Sequence, residues 1–154
     1  MGTDIHLSAE VARYDGNGNQ IGWDWLPCPV IDAEHRRGEW YSNRNYLVFA
    51  MLADVRNGYG FAGTPTHSPI VPISEPRGVP DDITAETLAI LSEEHSASWM
   101  MLNEILDYDW SQPIEREGTV IAATDRTSEF VERMKMLAAA AGERPTRVVF
   151  DFDS

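Results

Sequence analysis

The stretch Asp4-Ile5-His6-Leu7-Ser8-Ala9-Glu10-Val11 decides how this chain is read. Ile5, Leu7, Ala9 and Val11 alternate with Asp4, His6, Ser8 and Glu10. A period of two puts the first set on one face of a strand and the second set on the other. The alternation predicts a strand over residues 3–14. Asp15-Gly-Asn-Gly-Asn19 follows as a turn between strands. Gln20 to Cys28 reads as a second strand carrying Trp23 and Trp25, ended by Pro27 and Pro29, which cannot donate to a ladder. At the far end, Pro145 to Phe152 alternates again, with Val148, Phe150 and Phe152 on one face. The first and last strands are expected to be neighbours in one sheet.

The middle of the chain reads as helices. One is expected from Arg44 to Val55, capped by Ser42 or Asn43 and stopped at Gly58. Another runs from Asp82 or Thr84 to about Glu94, with Glu86 in its first turn. Ser96 or Ser98 is expected to cap a third, from Trp99 to Leu106. Thr127 and Ser128 precede a fourth, which runs to Ala141 and stops at Gly142. Thr119 to Ala122 reads as a short strand. Residues 30–42 look irregular and polar. Residues 57–81 are rich in proline and glycine yet carry Tyr59, Phe61, Ile70, Val71 and Ile73, as an ordered functional loop would. The fold class is therefore α+β: a small, mainly antiparallel sheet with its N- and C-terminal strands adjacent and about four helices on one face.

The chain has 154 residues, with 12 Lys+Arg against 25 Asp+Glu, a net charge of −13 and 43% hydrophobic residues. That size and apolar content suit one domain over residues 1–154. The charge argues against gripping a nucleic-acid backbone or an anionic membrane. Cys28 is the single cysteine, so an internal disulfide and a cysteine-based zinc site are excluded. The opening residues lack the basic and apolar regions of a signal peptide, and no apolar run approaches ~18 residues. A cytoplasmic, soluble protein is expected.

Three constellations could carry chemistry. Asp4, His6 and Glu10 share the polar face of the first strand with Ser8. His95-Ser96-Ala97-Ser98-Trp99 is expected to place a histidine and two hydroxyls at a helix N-terminus, which favours an anion. Arg44, Arg56 and Arg77 could clamp a phosphate or carboxylate. Asp4, His6 and His95 could hold a divalent metal, with Glu10 beside them. Without metal, His6 or His95 would act as general base or acid, because imidazole titrates near neutrality. Tyr46, Tyr59, Phe61 or Trp99 could stack on a base. His35 and His67 are read as surface residues. Asp15-x-Asn17-x-Asn19 opens like a calcium loop, but Gln20 and Leu26 stand where glycine and glutamate are needed, so calcium is rejected there.

Several blocks resemble a group of small, uncharacterised proteins of phage and bacterial genomes. They are Met1-Gly-Thr-Asp-Ile-His6 with Glu10; Arg44-Asn-Tyr to Val55-Arg-Asn57; Pro72-Ile to Pro76-Arg-Gly-Val-Pro-Asp-Asp82; His95-Ser-Ala-Ser-Trp99; and Phe152-Asp153. Thr3 stands where many of that group have cysteine, so a thiol there is not essential in this chain.

The resemblance implies a phage-type counter-defence context. Three functions are expected to compete. The first is cleavage of a small phosphate-containing ligand, a cyclic nucleotide signal. Asp4, His6, Glu10 and His95 would do the chemistry, and Arg44, Arg56, Arg77, Ser96, Ser98, Tyr46 and Trp99 would hold the ligand. The second is a non-catalytic sponge for the same ligand, as a homo-oligomer. The third is an acidic interaction or DNA-mimic module, suggested by Asp81-Asp82, Glu93-Glu94 and Asp107-Tyr-Asp109.

Overall fold

The period-two stretch forms strand β1, Asp4–Tyr14, and the closing stretch forms β6, Thr146–Asp153. The two pair antiparallel, from Asp4 opposite Asp153 to Val11 opposite Thr146. The structure, a computed structural model, describes residues 2–29, 38–60 and 63–154. Met1, His35, Phe61 and most of the irregular stretch expected over 30–42 lie outside the described residues. Strand β2, Gln20–Trp25, pairs with the other edge of β1, and Asp15 holds the turn between them by accepting from the Asn17 and Asn19 amides. Strand β3, His95–Met101, pairs with the free edge of β6. The result is a four-stranded antiparallel sheet in the order β2-β1-β6-β3, in an α+β fold with four helices among the described residues.

The apolar face of the sheet carries Ile5, Leu7, Ala9, Val148, Phe150 and Phe152, all buried. Helix α1, Tyr46–Ala53, packs on it; its residues from Leu47 to Ala53 are buried, as an all-round apolar helix requires. Phe49 meets Phe152 edge-on with ring centroids 5.0 Å apart. Helix α4, Thr124–Ala141, buries Phe130, Met134, Leu137 and Ala141 along one stripe, and Tyr41 packs its ring against Phe130 at 4.9 Å. Helix α3, Leu102–Asp107, completes this layer through Leu102 and Ile105.

The sequence suggests helices on one face only; the structure places them on both. Helix α2, Ala85–Ile90, sits on the polar face of β1, where Thr87 bonds Ser8 at 2.9 Å. Strand β2 ends at Trp25 rather than Cys28. Helix α1 starts at Tyr46, because Asn45 rather than Ser42 or Asn43 caps it by accepting from the Val48 amide at 3.2 Å. It ends at Asp54 in the left-handed region (φ 58°), well before Gly58. Helix α2 is shorter than expected and capped by Thr84.

Ser96 and Ser98 cap no helix. Residues 95–101 are strand β3, because the second edge of β6 offers ladder partners that outweigh a local capping signal. Helix α3 begins only at Leu102, where Glu104 reaches back to the Met101 amide at 2.8 Å. Thr119–Ala122 is a strand (β5), paired with an unforeseen β4, Pro113–Arg116, as a separate hairpin. No helix among the described residues is long and apolar enough to cross a membrane.

Candidate functional site

The polar face of β1 is a set of paired charges rather than one open pocket. Asp4 is clamped by Arg44, with Nε and Nη2 donating at 2.9 and 3.0 Å. His6 stands between two carboxylates, Glu39 at 3.2 Å and Asp153 at 2.6 Å. The hydrogen bond to Glu39 is the largest influence on its titration. With help from Asp153, it outweighs burial and pushes the imidazole pKa up to about 9. His6 is therefore a charged, structural group at neutral pH. Held protonated by two carboxylates, it has no lone pair with which to act as a base at neutral pH.

Glu10 is fully buried, and both its oxygens are used. Oε1 accepts from Arg147 Nε at 2.7 Å and Oε2 from the Thr84 amide at 2.8 Å. Arg147 also donates to Asp82 at 2.8 Å and covers the Trp23 ring, 4.1 Å from its centroid. Ser8 accepts from Trp25 Nε1 at 3.1 Å. Asp151, buried on the same side of β6, accepts from the Ser92 and Glu93 amides and shapes the turn into β3.

Another group converges at the end of the sheet, in a cleft of about 350 Å³. The register that sets Asp4 opposite Asp153 brings Thr3 beside Ser154, their hydroxyls 3.0 Å apart. Ser154 Oγ lies 2.9 Å from His95 Nε2, and His95 Nδ1 lies 3.0 Å from Ser96 Oγ. Arg56, just past α1, donates from Nε to Thr3 Oγ1 at 3.1 Å and from Nη1 to the Gly60 carbonyl at 2.6 Å. A β-bulge between His95 and Ser98, with Ser96 at φ 54°, turns His95 and Ser96 toward the cleft. Tyr59 adds an aromatic wall.

These contacts form one continuous chain. Arginine can only donate, so Thr3 Oγ1 accepts from it. If each hydroxyl passes its proton onward, Thr3 donates to Ser154 and Ser154 donates to His95 Nε2. The Nδ1 proton then points at Ser96 Oγ, and the Ser96 hydroxyl keeps its own proton for a ligand. The arrangement pairs an imidazole acid–base group with a cation and three hydroxyls, a set that suits an oxyanion, while Asp54 and Glu75 put two carboxylates in the same lining.

The other candidates lie outside this cleft. Arg77 forks onto Glu104 at 2.8 and 2.6 Å and stacks over Trp99 at 5.1 Å. Ser98 accepts from the Arg77 amide at 3.0 Å. Together they pin the Pro76-Arg77-Gly78 loop, whose Pro76 forms part of the cleft wall. Tyr46 supports the site from behind: its hydroxyl accepts from the Thr3 amide at 3.2 Å, and Arg56 lies 5.6 Å from its ring centroid. Asp4, His6 and His95 are not gathered as a ligand set. Among the described residues no three His, Cys, Asp or Glu side chains are grouped to hold a metal.

Reading the sequence singled out His95, Ser96, Arg56 and Tyr59 but missed Thr3 and Ser154 as contributors. It also missed Glu39 and Asp153 as the partners of His6. Antiparallel pairing of the first and last strands was the available signal for the Thr3–Ser154 contact. Nothing local marks Glu39. No protein-family model, curated protein or solved structure matches this chain.

Proposed function

We propose that the cleft binds a small phosphate-containing ligand, a cyclic nucleotide signal, and that the protein cleaves it as a phage-type counter-defence enzyme. The observation that carries this reading is the unbroken hydrogen-bonded chain Arg56–Thr3–Ser154–His95–Ser96 in one cleft. The cationic end and the Ser96 hydroxyl hold the phosphate, and Tyr59 lies where a base could stack. Water attacks phosphorus and gives its proton to Ser154 Oγ as the Ser154 hydroxyl proton moves to His95 Nε2. The bond from phosphorus to the ester oxygen breaks, and His95 returns a proton to that oxygen. The phage context rests on the resemblance of the sequence blocks to small phage and bacterial proteins.

A second reading is sequestration without turnover. It is favoured by His6 being held between Glu39 and Asp153, which leaves His95 as the one imidazole among the described residues placed for acid–base work in the cleft. One experiment separates the two. The purified protein is incubated with cyclic mono-, di- and oligonucleotides, filtered and then heat-denatured, and both fractions are weighed by mass spectrometry. Cleavage yields a new product mass, and His95→Ala abolishes it. Sequestration removes intact ligand from the filtrate and returns it on heating. If no ligand is altered or retained, both readings are overturned.

A further inference from the structure

We propose that Asp54 makes the Arg56–His95 cleft selective for ribonucleotides, by accepting a hydrogen bond from the ribose 2′-hydroxyl. This inference rests on the reading of that cleft as a cyclic nucleotide site. The polar lining falls into two groups. Arg56, Thr3, Ser154, His95 and Ser96 form the chain that suits a phosphate. Asp54 and Glu75 stand outside that chain, and neither makes an ion pair among the described residues. A carboxylate in a phosphate site repels the ligand unless the ligand also brings a donor to it. In a bound nucleotide the phosphate meets Arg56 and the base meets Tyr59. The 2′-hydroxyl is the donor common to every ribonucleotide, and a carboxylate is a well-suited acceptor for it.

The backbone singles out Asp54 from the pair. It stands at the C-terminal end of α1 in the left-handed region, at φ 58°. Glycine is the usual residue at such a position. The helix dipole also puts negative charge there, and no basic residue in the last turn offsets it. The residue is exposed, so core packing does not demand it. Its side chain is nevertheless fixed. Asn57 Nδ2 donates to Asp54 Oδ1 at 2.7 Å, and the Asn57 amide is itself bonded at both ends to the Ile70 backbone, at 2.8 and 3.0 Å. Asp54 Oδ2 accepts from no group among the described residues, so it is open to a ligand. Arg56 and Ser96 are left-handed too, each at φ 54°. Three of the five such non-glycine residues among the described residues therefore line this one cleft. Backbone strain of this kind gathers at functional sites, where a local rule is broken to aim a side chain.

The test gives the protein 3′,5′-cyclic AMP and 3′,3′-cyclic di-AMP, each beside its 2′-deoxy analogue. Preference is read as a ratio of Kd for a ligand that stays intact, and of kcat/KM for one that is cleaved. The wild type should prefer the ribose form by about tenfold or more, the loss expected when a charged acceptor is left without its donor. Asp54→Gly removes the carboxylate and suits the left-handed backbone, so the variant should melt no lower than the wild type while its preference falls to about twofold or less. Should Asp54→Gly fail to fold, Asp54→Asn keeps the turn and loses the charge, and should cut the preference about threefold. Glu75→Gln should leave the preference in place. Equal handling of ribose and deoxyribose forms by the wild type overturns the role of Asp54 and leaves the cleft a nucleotide site. A preference that survives Asp54→Gly, or that disappears in Glu75→Gln, places the hydroxyl elsewhere and also overturns it. Binding of none of these ligands overturns the nucleotide reading and this inference together.

Discussion

His6 shows most clearly how one side chain takes its character from distant residues. On the strand it is one polar position among four, and its sequence neighbours give it no partner. In the fold, Glu39 and Asp153 bracket it and push its pKa from 6.5 to about 9. A raised pKa means the folded state holds the proton more tightly than the unfolded state. The resulting stability is fully present below pH 6.5 and is lost as pH rises through about 9. The difference is on the order of 2–3 kcal/mol. Urea denaturation of the wild type at pH 6 and pH 9.5 should show it, and His6→Gln should flatten the dependence in that window. A wild-type stability that stays level from pH 6 to 9.5 would remove His6 from this structural role. His95 behaves differently: it is exposed, its neighbours are hydroxyls, and substituting it should cost function more than stability.

Among the elements, the informative junction is the one joining β1, β6 and the start of α2. Glu10 and Arg147 sit directly opposite each other in the ladder and are almost completely buried. Glu10 also caps the approach to α2 through the Thr84 amide, and Arg147 ties in Asp82. Removing one partner leaves a charge in the interior. Arg147→Met should therefore lose ~3–5 kcal/mol, and adding Glu10→Leu to it should recover part of that loss. Equilibrium unfolding in urea measures both. A loss under ~1 kcal/mol for the single exchange would mean that water reaches the pair. The same junction explains why the polar face of β1 is not an open site. The short helix α2 covers it, which strand periodicity alone does not foretell. Strand β3 makes the complementary point. Its Ser96 and Ser98 look like caps, but the open edge of β6 recruits them into a ladder, and the bulge at Ser96 then aims His95 at the cleft.

For the whole molecule, the net charge of −13 sets what can approach it. Among the described residues, five of its 12 basic groups are held by carboxylates: Arg13, Arg44, Arg77, Lys135 and Arg147. The basic groups that remain in concave positions are few and local, so they suit a small ligand rather than a polymer backbone. Duplex DNA and single-stranded RNA should show no binding by fluorescence anisotropy at ~50 mM salt, where backbone contacts are strongest. Saturable binding there would point to a basic surface that the described residues do not display. The core is continuous from the apolar face of the sheet through α1 to α4, and Phe49 and Phe152 sit at its centre. Phe152→Ala should cost ~3–5 kcal/mol, read as a shift of the unfolding midpoint.

The sequence by itself determined the sheet strands at both ends, the buried helix α1, the helix α4 and the sign of the surface. Each follows from a local period or a composition, and local periods survive in any tertiary context that buries an apolar face. Only the tertiary structure decided which polar groups meet. Thr3 and Ser154 lie 151 positions apart and touch because two strand ends are in register. Glu39 and Asp153 find His6 across 33 and 147 positions. Hydrogen bonds and ion pairs act over a few ångströms, so their partners are set by the chain's path and not by sequence spacing. That is why the strands at the two ends of the chain were legible in advance and the composition of the cleft was not.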